Sequence, residues 1–138
     1  NNKINFKEYL SKSKNMREYF LWNLLDNLGM KTLDKSLLVY ESIINQGISP
    51  TQVVVQLSEF FKILLMLKTD TNSPITTFYF NKIIQKRLSS YNIKYKQNEI
   101  ENIILQLRNI DLYLKSTTLS QKNLFHPLFI GICKGIYV

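Results

Sequence analysis

The sequence predicts an all-α protein, a single compact bundle of five to six helices, and three observations carry that expectation. Only four Gly and three Pro occur in 138 residues, too few for the turns of an all-β fold. Apolar residues recur three and four apart, most plainly at Ile100, Ile103, Ile104, Leu107, Ile110 and Leu114, which is the period of one helix face. Residue types that start and stop helices punctuate these runs with short gaps between them, so consecutive helices should pack antiparallel.

The first strong helix is expected to begin near Asn15, a good N-cap, with Glu18 three residues on to reach back to the cap. Met16, Phe20, Leu24 and Leu28 then form one stripe, with Leu21 and Leu25 beside it. Gly29 can take the left-handed conformation that ends a helix. A shorter helix over 5–13 precedes it in this reading. The second helix spans about 32–45, with Leu33, Leu37, Tyr40 and Ile44 inward and Gly47 as its stop.

Ser49-Pro50-Thr51-Gln52 is the best-written start signal in the chain. Ser49 caps, Pro50 takes the first helical position where its missing N–H costs nothing, and Gln52 completes a capping box. Ile48 and Val53 can close a hydrophobic staple around it. The third helix, about 50–68, is apolar around most of its circumference, with an outward strip at Gln52, Gln56, Glu59 and Lys62 or Ile63. A helix so surrounded belongs at the centre of a bundle.

Thr69 to Ser73, followed by Pro74, reads as a loop. A fourth helix is expected within 76–91, with Phe80, Ile84, Leu88 and Tyr91 on one side, and a fifth over about 97–115. After a linker at 116–120, a last apolar helix runs to the end over 119–137. Its start at Asn123 would place Pro127 in the first turn, where a missing N–H is tolerated. Gly131 and Gly135, four apart, suggest a close approach by another helix.

Eight Phe and eight Tyr in a chain that is 45% apolar allow a real core without disulfides. With Cys133 as the sole cysteine, an internal disulfide and a cysteine metal cage are both excluded, in keeping with a cytoplasmic protein. The longest apolar run, Val53 to Leu67, is broken by polar residues and falls short of a bilayer span, so no membrane role is expected. The chain does not start with Met and opens on a polar stretch, as expected of a piece of a longer protein.

The formal charge of +8 is unevenly spread. Lys3, Lys7, Lys12, Lys14 and Arg17 crowd the start. Lys82, Lys86, Arg87, Lys94 and Lys96 form a second group with no acid among them. Such groups are ordinarily solvated faces, and the alternative is nucleic-acid contact by a basic helical domain. Tyr91 and Tyr95, interleaved with these lysines, would stack bases if exposed and pack inward otherwise.

Chemistry is scarce. The lone His126 and Cys133 are seven apart and are expected to pack in or near the core. No phosphate-cradling Gly-rich loop exists, and Glu99 and Glu101 cannot face each other on a helix. No catalytic, cofactor or metal site is expected, so function must reside in surfaces.

Leu24-Leu25-Asp26-Asn27-Leu28-Gly29, then Gly47 and Pro50, then Phe60, Phe61, Leu64, Leu65 and Lys68, and finally Asp111, Leu114, Lys115 and Ser116 form an ordered series of helix ends. In that order and spacing they resemble the C-terminal helical domain of the delta subunit of the bacterial DNA polymerase III clamp loader. The connection between the third and fourth helices is shorter than in that family, and His126-Pro127 and two glycines interrupt the last helix. The resemblance implies a collar-like bundle over 16–138, with 1–15 the end of a preceding domain or a linker. It implies an assembly role in the ring of clamp-loader subunits, supporting loading of the sliding clamp onto DNA during replication. The parent would not hydrolyse ATP, and would meet the sliding clamp only through an N-terminal region absent here. Asp111, Lys115, Leu124, Phe125 and Leu128 are the expected partner-facing residues, and DNA contact within the complex would fall to the second basic group.

Overall fold

The computed structural model describes residues 6–69, 82–116 and 121–138, with side chains from Met16 onward in the first segment and from Leu124 onward in the last. Six helices follow one another: α1 (Phe6–Gly29), α2 (Leu33–Asn45), α3 (Pro50–Thr69), α4 (Lys82–Ile93), α5 (Gln97–Ser116) and α6 (Gln121–Cys133). No strand occurs among the described residues, and the all-α expectation holds.

α3 lies at the centre. Val53, Leu57, Phe60, Phe61, Ile63 and Leu64 are all buried, and the helix packs most extensively against α5. By length and composition α3 could cross a membrane, yet those side chains form the middle of the core. Phe60 meets Phe61 edge-on at 5.2 Å and Tyr91 at 5.4 Å between ring centroids, and Phe61 meets Tyr95 at 5.5 Å. Such edge contacts bring the positive rim of one ring to the negative face of another. A second aromatic group joins α2 to α6 through Tyr40, Phe125 and Phe129.

The Ser49 start signal is built as expected. Its Oγ accepts the Gln52 backbone N–H at 3.2 Å, although no bond returns from the Gln52 side chain among the described residues. Lys62 faces out, whereas Ile63 is core. On α2 the buried line is Ser36, Tyr40 and Ile43, with Leu33, Leu37 and Ile44 at its edges. Phe80 and the expected loop and linker beyond their first residues lie outside the described residues; those first residues, Thr69 and Ser116, are the last of α3 and α5.

Four expectations are corrected. α1 runs unbroken from Phe6, so Asn15 lies inside the helix instead of capping it, and the shorter helix expected over 5–13 is part of the same element. Its left-handed stop is not Gly29 but Lys31, at φ 60°. Thr32 N–H reaches Asn27 O at 2.9 Å and Lys31 N–H reaches Leu28 O at 3.1 Å, the pair of bonds that closes a helix with a left-handed residue after its cap. Gly47 and Gly135 end α2 and α6 in the same way, at φ 76° and 69°. Consequently α6 stops at Cys133, short of 137. The fourth correction is Pro127, which stands well inside α6 rather than in its first turn.

The end of α1 is where the bundle is tied together. Asp26 accepts hydrogen bonds from Arg87 Nη1 at 2.9 Å and Tyr91 Oη at 2.5 Å. Asn27 Oδ1 accepts Thr32 Oγ1 at 2.8 Å, and its Nδ2 donates to Asn23 O at 2.8 Å. The Tyr95 hydroxyl donates to Leu28 O. Lys31 Nζ meets Glu99 Oε2 at 2.6 Å and sits 4.5 Å from the centroid of the Tyr95 ring. Glu99 is 1% exposed, and its other oxygen accepts the Lys96 backbone N–H at 3.0 Å, so one carboxylate both caps α5 and holds α1.

Candidate docking surface

α5 buries Ile100, Ile103, Leu107 and Ile110 against α3, which turns Leu105 and Leu112, seven residues apart, toward solvent. They are 51% and 64% exposed. Between α5 and α6 runs a groove of about 290 Å³, with Asn109 and Tyr113 on one wall, Leu124 and Pro127 on the other, and Tyr137 at one end. Ile130, Ile136 and Val138 add further exposed apolar surface on α6 and the tail.

The tail is held back against the helices. Asn102 Nδ2 donates to Tyr137 O at 2.8 Å. A Cβ at Gly131 would lie 2.5 Å from Tyr137 Cε2, so the close approach expected at the spaced glycines is made by this ring and not by another helix. Gly135 serves the turn that brings the ring round. Nothing in the spacing of the two glycines distinguishes these jobs.

Of the residues expected to face partners, Asp111 and Lys115 pair with each other at 2.9 Å on the exposed surface, an ordinary one-turn pair worth a few tenths of a kcal/mol, roughly 0.3. Leu124 is half-buried in the groove wall. Phe125 and Leu128 are corrections: at 0% and 2% exposure they are buried, because the rotation of α6 turns Phe125 onto Tyr40 of α2 and Leu128 toward α5. The accessible apolar residues Leu105, Leu112, Ile130 and Ile136 were missed. The signal for them was present in part, since Leu105 and Leu112 lie opposite the Ile stripe of α5.

The second basic group divides. Lys82, Lys86, Lys94 and Lys96 are exposed, whereas Arg87 is committed to Asp26. Tyr91 and Tyr95 are 0% and 2% exposed with both hydroxyls bonded, so neither ring is available to stack a base. Burial pushes both phenols well above their ordinary range, and at Tyr91 the hydrogen bond to Asp26 adds to it.

His126 packs edge-on to Tyr40 at 6.1 Å between centroids, and its buried Nε2 has no hydrogen-bond partner among the described residues. Burial raises the Cys133 thiol, opposed by the Ser36 hydroxyl and by Lys31 and Lys134. A protonated thiol is a poor nucleophile. Among the described residues, no three His, Cys, Asp or Glu side chains gather where a metal could sit. Comparison with protein-family models, curated proteins and solved structures gives no match.

Proposed function

We propose that this chain is the subunit-assembly (collar) domain of a delta-type subunit of the bacterial DNA polymerase III clamp loader. The ordered helix ends that resemble that family suggest the identification. The observation that carries the role is the apolar side chains left exposed on α5, α6 and the tail, with Leu105 and Leu112 outward on α5 and Ile130 and Ile136 exposed on α6 and beyond it. Apolar side chains left in water at the surface of a helical bundle gain most by burial against another subunit. Each Leu so covered contributes about 1.5 kcal/mol or more. In this reading the domain docks permanently with the collar domains of its sister subunits in the cytoplasm. The sliding clamp is handled by other parts of the parent chain, which hydrolyses no ATP.

The test is co-purification with the collar domains of the other clamp-loader subunits, at low and at high salt. The expected result is a complex that survives high salt, because burial of apolar surface is not screened. Leu105→Glu with Leu112→Glu should abolish it while leaving the helical circular dichroism and melting curve in place. Absence of any complex with the unaltered chain, at every salt concentration, would sink the reading.

A further inference from the structure

α4 carries no acidic residue, and its buried line of Ile84, Leu88 and Tyr91 fixes which side faces out. At 100° per residue that outer side holds Lys82, Lys86, Ser89, Ser90 and Ile93, all exposed. Exposed Lys94 and Lys96 follow the helix end. The nearby carboxylates are already taken: Asp26 by Arg87 and Glu99 by Lys31. None of the four lysines has an ion-pair partner among the described residues. Helix stability does not account for Lys96 either, since it stands at the positive end of α5, where a cation is disfavoured.

We propose that this outer stripe of α4 with Lys94 and Lys96 binds the phosphate backbone of duplex nucleic acid without reading its sequence. The argument is one of charge complementarity. The stripe runs about 16 Å along the helix axis at 1.5 Å per residue, and about 16 Å of duplex carries roughly nine phosphates. Unpaired lysines on a convex helix face can displace the counterions condensed on such a backbone, which is the source of sequence-independent affinity. Ser89 and Ser90 add hydroxyl donors between the charges, and phosphate oxygens accept from such groups. Duplex is favoured over single strand because the two tyrosines interleaved with the lysines are buried, and unspecific single-strand binding draws much of its strength from stacking on exposed rings. The inference does not rest on the assembly role: α4 and the α5–α6 groove are separate surfaces.

The experiment measures fluorescence anisotropy of a labelled mixed-sequence duplex, and of the corresponding single strand, titrated with the whole chain across a salt series. Two variants of identical formal charge are compared: Lys82→Glu, Lys86→Glu and Lys94→Glu in one, and Arg17→Glu, Lys35→Glu and Lys62→Glu in the other. Circular dichroism melts confirm that both are folded. The expected result is duplex binding whose log K falls against log[salt] with a slope of about −3.6, the value for four phosphates neutralised. The α4 variant should bind at least tenfold more weakly and lose most of that slope, while the other stays within about twofold, since bulk charge steers unspecifically. Equal weakening in both variants would reduce the effect to net charge and overturn the proposal. So would tighter binding of the single strand. Vesicles of phosphatidylserine, tested in parallel, complete the set: vesicle binding lost in the α4 variant, with no duplex binding, would assign the stripe to a membrane surface and overturn it as well.

Discussion

The Tyr91 ring lies so close over Gly29 that a Cβ there would sit 2.6 Å from Cδ1 and 2.8 Å from Cγ. Tyr91 cannot yield, because its ring is fully buried against Phe60 and its hydroxyl is bonded to Asp26. On propensity alone, Gly29→Ala would stabilise a helix by about 0.5–1 kcal/mol. The structure reverses the sign: overpacking should cost about 1–3 kcal/mol, read as a lower urea midpoint. Gly131→Ala meets only the ring of Tyr137, half-buried on a short tail, which can swing aside, so its cost should be the smaller of the two. A Gly29→Ala variant as stable as the parent would show that α1 and α4 do not approach as described.

Lys31 combines an unfavourable backbone with a favourable side chain. Its φ of 60° would suit glycine, and the left-handed conformation costs a lysine about 1 kcal/mol. Against that, its ammonium is the partner of a carboxylate that is 1% exposed. Removing one member of a buried pair costs about 3 kcal/mol or more. Lys31→Gly should therefore be destabilising despite the relieved backbone, and Lys31→Met more so, because it keeps the strain and loses the pair. Thermal melts at neutral pH decide it. A Lys31→Gly chain that melts higher than the parent would show that the Glu99 contact contributes little.

Alkaline pH should unfold the protein early. Tyr40, Tyr91 and Tyr95 all have phenols raised above the ordinary value of 10.0, chiefly by burial. In the unfolded chain they ionise near pH 10, whereas the folded chain keeps their protons. Above that pH the folded state binds more protons, so stability is full below about pH 10 and falls as pH rises toward the folded values. Each buried phenol contributes up to about 1.4 kcal/mol per pH unit to that slope. Urea midpoints between pH 8 and 11 should fall steeply above 10, and Tyr91→Phe should flatten the decline. Parallel curves for the two chains would remove Tyr91 as a source.

How much of this was legible in the sequence differs between the ends of helices and their faces. The Ser49-Pro50 start, the Gly47 stop and the Ile stripe of α5 were readable because each depends on neighbours within one or two turns. The end of α1 was misread for the opposite reason. A glycine two residues before the true stop looks like a cap, and only the ring of Tyr91, sixty-two positions away (91 − 29), gives it another purpose. Lys31 carries no local sign that it would turn left-handed.

Sequence alone determined that the chain is helical, where most helices lie, and that its charge gathers in lysine groups, because periodicity, capping and charge are local properties of a polymer. Tertiary packing decided which apolar residues remained outside. Phe125 and Leu128 went to the core while Leu105 and Leu112 stayed in water, since the rotation of a helix about its axis is fixed by what it packs against and not by its composition. The same packing buried Tyr91 and Tyr95, tied the part-exposed Arg87 to Asp26, and left Lys82, Lys86, Lys94 and Lys96 exposed with no carboxylate partner among the described residues. A side chain's availability is a property of its neighbours in space, and those are set only when the helices have met.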